Sequence, residues 1–522
     1  MVSMAMIIPV MIYRLDSVLI ALEACKLLDL DIQPNLALEA LTKDSSNTEE
    51  HGDVQVDFQV GMGNNYERLE FLGDAFLKMA TTISLFTLIP NTNEFEYHVE
   101  RMLLVCNQNL FNHAVDRKLQ EYVRSKAFDR RTWYPDLKVK RGKMPKTGGH
   151  FHNLSDKSVA DVCEALIGAA YVSQLESGKM DLAVKAVTKM VRSKNHKMLK
   201  FADYYDAFTV PDWQNAPTSA AQRAAVGQIY EATGYRFKCP NLLRSSFKHP
   251  SYPYEPIPNY QRLEFLGDAL LDLVIVDYLF RRFPDADPQW LTEHKMAMVS
   301  NHFFGSLCVQ LGLQKHLLMT TSSLIGQISD YVAELEMARE LARPEEEPGN
   351  KKAEGRKDYW LSTSQPPKIL SDMLEALVGA MFVDSRYDYS VVEGFFTSFI
   401  EPYFEDMALY DTYASRHPVT ALAQMLQNQL GCQNWRLYVS VVPCGPDQGA
   451  TAVTGDDAVC ALMVHDKVVE HDTAKVGRDA KLAVAKMALR RFDGMEKEAF
   501  QREMGCDCRA EGNEGAQASG AQ

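Results

Sequence analysis

Cysteine is scarce, with 10 in 522 residues and no framework spacing over most of the chain. That excludes a disulfide-stapled small fold and favours a reducing compartment, cytoplasm or nucleus, over secretion. Long apolar runs are missing too. Met1 to Tyr13 (MVSMAMIIPVMIY) is apolar but too short to span a bilayer, and no basic segment precedes it. No other stretch reaches about 18 uninterrupted apolar residues, so no membrane partner is expected. Ser17 to Leu30 is predicted to form an amphipathic core helix. No Gly-x-x-x-x-Gly-Lys-Ser/Thr loop occurs, so the chain carries no sign of a P-loop ATPase. Positive charge is in deficit: 55 Lys and Arg stand against 69 Asp and Glu, a net −14. A chain this acidic is no general nucleic-acid binder, and it must meet any polyanion through local basic patches or metal ions. What remains is ordinary globular composition, 46% hydrophobic and 24% charged. At roughly 150 residues per domain the length suggests about three domains.

The chain repeats itself. Residues 65–75 read NYERLEFLGDA and residues 259–269 read NYQRLEFLGDA, differing at one position. Downstream, ADVCEALIGA at 160–169 is matched by SDMLEALVGA at 371–380. Upstream, Pro34-Asn35-Leu36 is matched by Pro240-Asn241-Leu242. Order is kept while intervals differ, the mark of a duplicated domain. Convergent amphipathic helices would share hydrophobic spacing without sharing residues. Arg68 to Phe86 and Arg262 to Phe283 carry apolar residues at helical spacing. The hydrophilic run Arg343 to Asp358 reads as a disordered insertion in the second copy. The first copy has its own polar stretch, Arg124 to Thr147. There Arg124, Lys126, Arg130, Arg131, Lys138, Lys140, Arg141, Lys143 and Lys146 face only Asp129 and Asp136, making a basic patch. Strands are predicted only near the C-terminus, at Trp435 to Val442, Ala458 to Val464 and Lys467 to His471. Helices at Val419 to Leu430 and Val476 to Phe492 flank them, giving an αβββα order. The expected fold is mainly α, with a small α+β domain at the end. The expected boundaries are 10–195 and 223–405 for the copies, 196–222 for a linker, 415–508 for the αβββα module and 509–522 for a disordered tail.

Each copy holds four carboxylates at helical spacing. Glu70 and Asp74 are four apart, and Asp161 and Glu164 three apart; Glu264, Asp268, Asp372 and Glu375 repeat the pattern. Such spacings put each pair on one helix face. Apolar neighbours such as Leu69, Phe71, Leu166 and Ile167 mark those faces as bordering a core. Acids so placed repel and lose hydration unless they are exposed, paired with Lys or Arg, or bound to cations. Pairing with Arg68 and Arg262 would be the plain explanation of one isolated pair. It is a poor explanation of the same spacing in two motifs of both copies. All-oxygen donors without nearby His or Cys suit Mg²⁺ or Mn²⁺. Such a site can activate water against a phosphodiester and lets an acidic protein act on a polyanion.

ERLEFLGDA and ADVCEALIGA resemble the ribonuclease III signature and its downstream acidic motif. Two such domains followed by an αβββα module resemble the C-terminal part of Dicer, most closely of fungal Dicer-like proteins, over about residues 10 to 508. The resemblance implies two all-helical domains paired as an intramolecular pseudo-dimer. It implies Mg²⁺- or Mn²⁺-dependent cutting of double-stranded RNA, one strand per domain, leaving 5′-phosphates and 3′ overhangs for RNA silencing. Glu70, Asp74, Asp161 and Glu164 would form one site, and Glu264, Asp268, Asp372 and Glu375 the other. Lys157 and Lys368, each four residues before the downstream Asp, would help near the scissile phosphate or balance acidic charge. Gly73 and Gly267 would allow close helix approach in the pseudo-dimer. Silencing-complex proteins are implied partners. With no helicase motif and no end-binding module in the sequence, products of poorly defined length are expected. A catalytically silent RNA-binding scaffold, or a processor of structured cellular RNA, are the alternatives.

The C-terminal module and its His417-Pro418 start resemble a double-stranded-RNA-binding domain, a reader of A-form shape. Its phosphate-clamping segment is Lys475, Gly477, Arg478, Asp479, Ala480 and Lys481, with Asp479 where a basic residue is expected. Gln424 stands in place of the customary Glu, and the loop Pro443 to Gly449 lacks a His, so contacts with proteins are a rival role. Cys506-x-Cys508 follows. Fungal Dicers are similar here, and the resemblance implies a structural Zn²⁺ held by Cys432, His471, Cys506 and Cys508, with His465, Cys444 and Cys460 as substitutes.

Overall fold

The structure, a computed structural model, describes residues 2–43, 64–90, 92–125, 154–343, 357–411, 413, 418–442, 457–465, 467–474, 477–506 and 508. Most of the basic patch, the insertion 344–356, His417, the loop Pro443 to Gly449, Lys475 and the tail past Cys508 lie outside them, as do the side chains of Arg478 and Asp479. The chain forms two compact units, Met1–Asp406 and Met407–Gln522.

The first unit is helical. Its first copy comprises α1 (Val2–Leu28), α2 (Pro34–Ala40), α3 (Glu67–Leu88), α4 (Glu94–Val105), α5 (Asn107–Asp116), α6 (Asp156–Gln174) and α7 (Asp181–Val191). A short helix α8 (Ala202–Asp206) follows. The second copy comprises α9 (Ala220–Thr233), α10 (Pro240–Ser246), α11 (Gln261–Arg282), α12 (Pro288–Met298), α13 (Asn301–Gln310), α14 (Ser322–Leu341), α15 (Ile369–Asp384) and α16 (Ser390–Phe395). Local chemistry sets several starts. Proline at the first turn opens α2 and α10, where its missing N–H costs nothing. Ser155 caps α6 by accepting from Ser158 N, and Ser219 with Gln222 closes a capping box on α9.

Two expectations change. The helix expected over Ser17 to Leu30 runs from Val2, with Pro9 inside it; Ala21, Ala24, Cys25 and Leu28 are buried while Ile8, Met11, Leu15 and Leu19 stay exposed. The segment 196–222 is packed at its start. His196 is fully buried between Thr188 Oγ1 (2.9 Å) and Tyr204 Oη (2.8 Å), and Phe208 stacks on Phe86. Small residues and prolines suggested a linker; the aromatic residues between them hold it down.

The core of each copy is a crossing of two buried helices, α3 with α6 and α11 with α15. A Cβ on Gly73 would lie 1.8 Å from Glu164 O, and one on Gly267 1.8 Å from Glu375 O. Gly168 and Gly379 face Leu69 O and Leu263 O at 2.2 and 2.3 Å in the same sense. These glycines let backbone touch backbone inside each copy. They do not lie between the copies, contrary to expectation. α3 is long and apolar enough to cross a membrane by composition alone, yet 78% of its most apolar window is buried in protein.

The copies pair through α3 and α11, and equivalent residues, 194 apart, do equivalent work. Arg68 donates to Phe280 O (3.1 Å), Phe283 O (3.2 Å) and Ala286 O, and its guanidinium sits over the Phe280 ring. Arg262 lies over Phe86 at 5.2 Å. Arg101 covers Phe265 at 4.4 Å, and Lys295 covers Phe71 at 5.7 Å. Arg68 and Arg262 thus tie the copies together, and neither is found in an ion pair with a site carboxylate.

The second unit, described by itself, holds α17 (Pro418–Gln424), β1 (Trp435–Val442), β2 (Asp457–Val464), β3 (Lys467–Ala474), α18 (Gly477–Phe492) and α19 (Lys497–Met504). The sheet is antiparallel in order β1-β2-β3, with an irregularity between Leu462 and Met463. Leu426, Cys460, Leu462, Val484 and Phe492 form its core, and α19, absent from the sequence expectations, adds Phe500 and Met504.

Candidate active sites and metal centre

In the first copy, α3 contributes Glu70 and α6 contributes Asp161 and Glu164. Because the glycines bring the two backbones into contact, oxygens of these three carboxylates lie within 4.8 Å of one another. Glu264 from α11 with Asp372 and Glu375 from α15 repeat the arrangement. Asp161, Glu164, Asp372 and Glu375 are all buried.

Burial sets the electrostatics. It pushes the Glu70 carboxyl up to about 7, with Asp161 adding to the rise, and the Glu164 carboxyl up to about 9, with Asp74 and Glu70 adding. In the second copy burial and Asp372 push Glu264 up to about 7, and burial followed by Asp268 raises Glu375 well above the carboxylate range. Glutamates raised in this way hold protons more readily unless a cation joins them. Lysines supply part of that charge. Lys157 Nζ reaches Asp161 at 2.9 Å and Glu70 at 3.6 Å. Lys368 Nζ reaches Asp372 at 2.6 Å and Glu264 at 3.1 Å. The lysine side chains remain 67% and 66% exposed, so each ammonium stands at the mouth of its site.

Asp74 and Asp268 are not among the three mutually close donors of each cluster, but each adds its charge to the glutamate of the facing helix, Glu164 or Glu375. One turn beyond Glu70 and Glu264, they lie along the boundary between the copies, where Lys78 Nζ is 3.0 Å from Asp268. Tyr66 and Tyr260 were not singled out in the sequence. Their hydroxyls donate to Asp161 (3.5 Å) and Asp372 (3.1 Å). The signal was present, since both tyrosines fall inside the repeated string.

Matches to domain models agree with this architecture. A ribonuclease III domain model matches residues 67–175 and again 261–386, each span opening on the signature helix and containing all four acids of its copy. The chain thus carries a ribonuclease III domain twice. Its two ribonuclease III domains are followed by a match to a double-stranded-RNA-binding domain over residues 410–494. Dicer-like protein 1 of Chaetomium globosum is 52% identical over 97% of this chain and 33% of that protein. Dicer-like protein 1 of Neurospora crassa gives the same figures. The chain spans about a third of the length of these curated relatives. Among solved structures, the nuclease domain of ribonuclease III from Campylobacter jejuni is 27% identical, covering 35% of this chain and 97% of that one, with a TM-score of 0.24.

The second unit gathers Cys432 and His465 from within the RNA-binding domain match and Cys506 and Cys508 from beyond it, with donor atoms within 4.8 Å of one another. His465 Nε2 is 3.7 Å from Cys432 Sγ and 3.6 Å from Cys508 Sγ. Ligand bonds of about 2.0–2.3 Å at tetrahedral angles would separate N and S by about 3.6 Å. The expected ligand His471 is not there. It lies on β3, exposed, opposite Ala461. His465 sits at the turn after β2 with φ +51°, and that turn aims its ring at the cysteines. Cys460 is a core residue, and Cys444 lies outside the described residues.

Proposed function

We propose that this chain is the catalytic part of a Dicer-type endonuclease that cuts double-stranded RNA, each ribonuclease III domain cutting one strand. The observation that carries the reading is the pair of matching three-carboxylate clusters, each built on a glycine crossing and topped by an exposed lysine. Glu70, Asp161 and Glu164 would hold a divalent cation in one site, and Glu264, Asp372 and Glu375 in the other; the hard oxygen donors suit Mg²⁺ or Mn²⁺. A bound cation would supply an activated water and charge stabilisation for displacement at phosphorus. The chain's own residues do the rest. Glutamates raised by burial and by their acidic neighbours would give up their protons to make room for a cation. Tyr66 and Tyr260 orient Asp161 and Asp372. Lys157 and Lys368, freed from part of their pairing, offer ammonium groups to the backbone phosphates. The RNA-binding module supports duplex RNA as substrate. We assign the Cys432, His465, Cys506 and Cys508 cluster to a structural Zn²⁺ that ties the segment after α19 to its domain.

The test uses duplex RNA labelled on one strand at a time. The parent chain should cut both strands with Mg²⁺ and neither with EDTA. Glu70→Gln and Glu264→Gln should each leave a nick, on opposite strands. RNA bound but uncut in Mg²⁺ would replace this reading with a scaffold.

A further inference from the structure

The two sites are built alike but not supported alike. Lys78 lies on α3 of the first copy. Its ammonium is 3.0 Å from Asp268 and 3.3 Å from Asp272, both on α11 of the second copy. Lys295 on α12 completes Asp272 at 2.8 Å. The residue equivalent to Lys78, 194 positions on, is Asp272 itself. The same pseudo-symmetric geometry therefore gives Asp268 a lysine in direct contact, while Asp74, its counterpart, has acidic Asp272 nearby and feels Lys295, Lys78 and Arg101 only as neighbouring charges.

Other basic groups at this boundary do not create the difference. Arg101 and Lys295 are equivalent residues on equivalent helices, each seated over the signature phenylalanine of the opposite copy. Each site also has one extra acid nearby, Glu67 beside Glu70 and Glu94 beside Glu264. The asymmetry sits at positions 78 and 272. Lys78 is 27% exposed and Asp272 7%, so that arm of the contact is shielded from solvent, while Asp268 at 41% meets the lysine at the edge of the boundary.

We propose that Lys78 is a positioning residue for the second site, supplied by the first copy, which holds Asp268 in place beside Glu375 and Glu264, while the first site works without a counterpart. The inference rests on the nuclease reading above. A lysine in one domain then governs the cut made by the other, and the two strands of a duplex are cut with unequal dependence on it.

The experiment isolates each site in the full chain. Glu70→Gln leaves the second site active and Glu264→Gln leaves the first. Into both backgrounds go Lys78→Gln, Lys78→Arg and the exchange Lys78→Asp with Asp272→Lys. Single-turnover nicking is measured across a Mg²⁺ series. Loss of an ångström-scale positioning contact predicts about a tenfold fall at the second site for Lys78→Gln. The first site should change clearly less, because Lys78 makes ion pairs with Asp268 and Asp272 and reaches Asp74 only as a neighbouring charge. Lys78→Arg should restore the second site. The exchange hands the lysine to Asp74 and an aspartate to Asp268, so it should leave the second site slow and the first site at or above its starting rate. Equal losses at both sites would reduce Lys78 to a structural residue and overturn the proposal, as would no loss at the second. If neither single-site background nicks in Mg²⁺, the nuclease reading itself falls and takes this inference with it.

Discussion

The crowded glutamates make the protein's stability depend on pH in a direction opposite to ordinary acid denaturation. Glu164 is held at about 9 against an ordinary value of 4.5, mainly by burial, and Glu375 is raised in the same way. A carboxyl raised in the folded state keeps its proton where the unfolded chain has lost it. Its contribution is complete below about pH 4.5 and disappears as pH rises through about 9. Two buried histidines act in the other direction lower down. His196 is pushed down to about 3 and His302 to about 4 by burial, so they favour the folded state more as pH rises to about 6.5. Above that value the raised carboxyls are the larger influence. From pH 6.5 to 8.5, a glutamate held at about 9, as Glu164 is, loses about 3 kcal/mol, and Glu375 acts in the same direction. At roughly 1–2 °C per kcal/mol for a unit of about 400 residues, melting in EDTA should fall by at least roughly 3 °C over that range. Mg²⁺ or Mn²⁺ should restore it, and should shift melting more at pH 8.5 than at pH 6.5, because the cation displaces protons that are already leaving. Differential scanning fluorimetry of the intact chain measures this directly. Glu164→Gln with Glu375→Gln should remove both the slope and the cation response. A flat EDTA profile, or a Mg²⁺ shift of equal size at both pH values, would refute the account of these sites as strained, cation-seeking clusters.

Gly267→Ala would drive a Cβ to 1.8 Å from the carbonyl oxygen of Glu375; overpacking of a helix crossing should cost about 3 kcal/mol by urea titration and lower activity at the second site more than at the first. Tyr260→Phe removes one hydrogen bond to Asp372, and should cost about 1 kcal/mol and weaken Mn²⁺ binding a few-fold by calorimetric titration. His465→Ala or Cys508→Ser should release zinc measurable by a chromogenic chelator and loosen the segment after α19 to proteolysis, whereas His471→Ala should retain a full equivalent.

Much of the architecture was legible because the chain states its central motif twice. The string shared by residues 65–75 and 259–269 identifies the signature helices and places Glu70 and Glu264 on them; the downstream pair identifies α6 and α15. What the string does not convey is which neighbours a residue meets across helices. Asp74 shares a face with Glu70 by helical spacing, yet the cluster draws one acid from α3 and two from α6, and Asp74 is left to the boundary with the other copy. Gly73 reads as a close-approach residue, but only the crossing tells that the approach is to α6. His465 and His471 lie six apart, and nothing in their spacing to the cysteines chooses between them; a left-handed turn at His465 does. Lys78 could have been noticed as a charge reversal three residues past the repeated string, though its partner is Asp272, the very residue that replaces it.

An enzyme assembled from two identical subunits can place on its two-fold axis only chemistry that complements itself, since every substitution arrives twice. Lysine there would meet lysine, and aspartate would meet aspartate. Joining both halves in one chain removes that restriction. The contact between Lys78 and Asp272 is a bond that a homodimer could not make on its axis, and it shows what one chain holding both copies makes possible: two halves that need not do the same work.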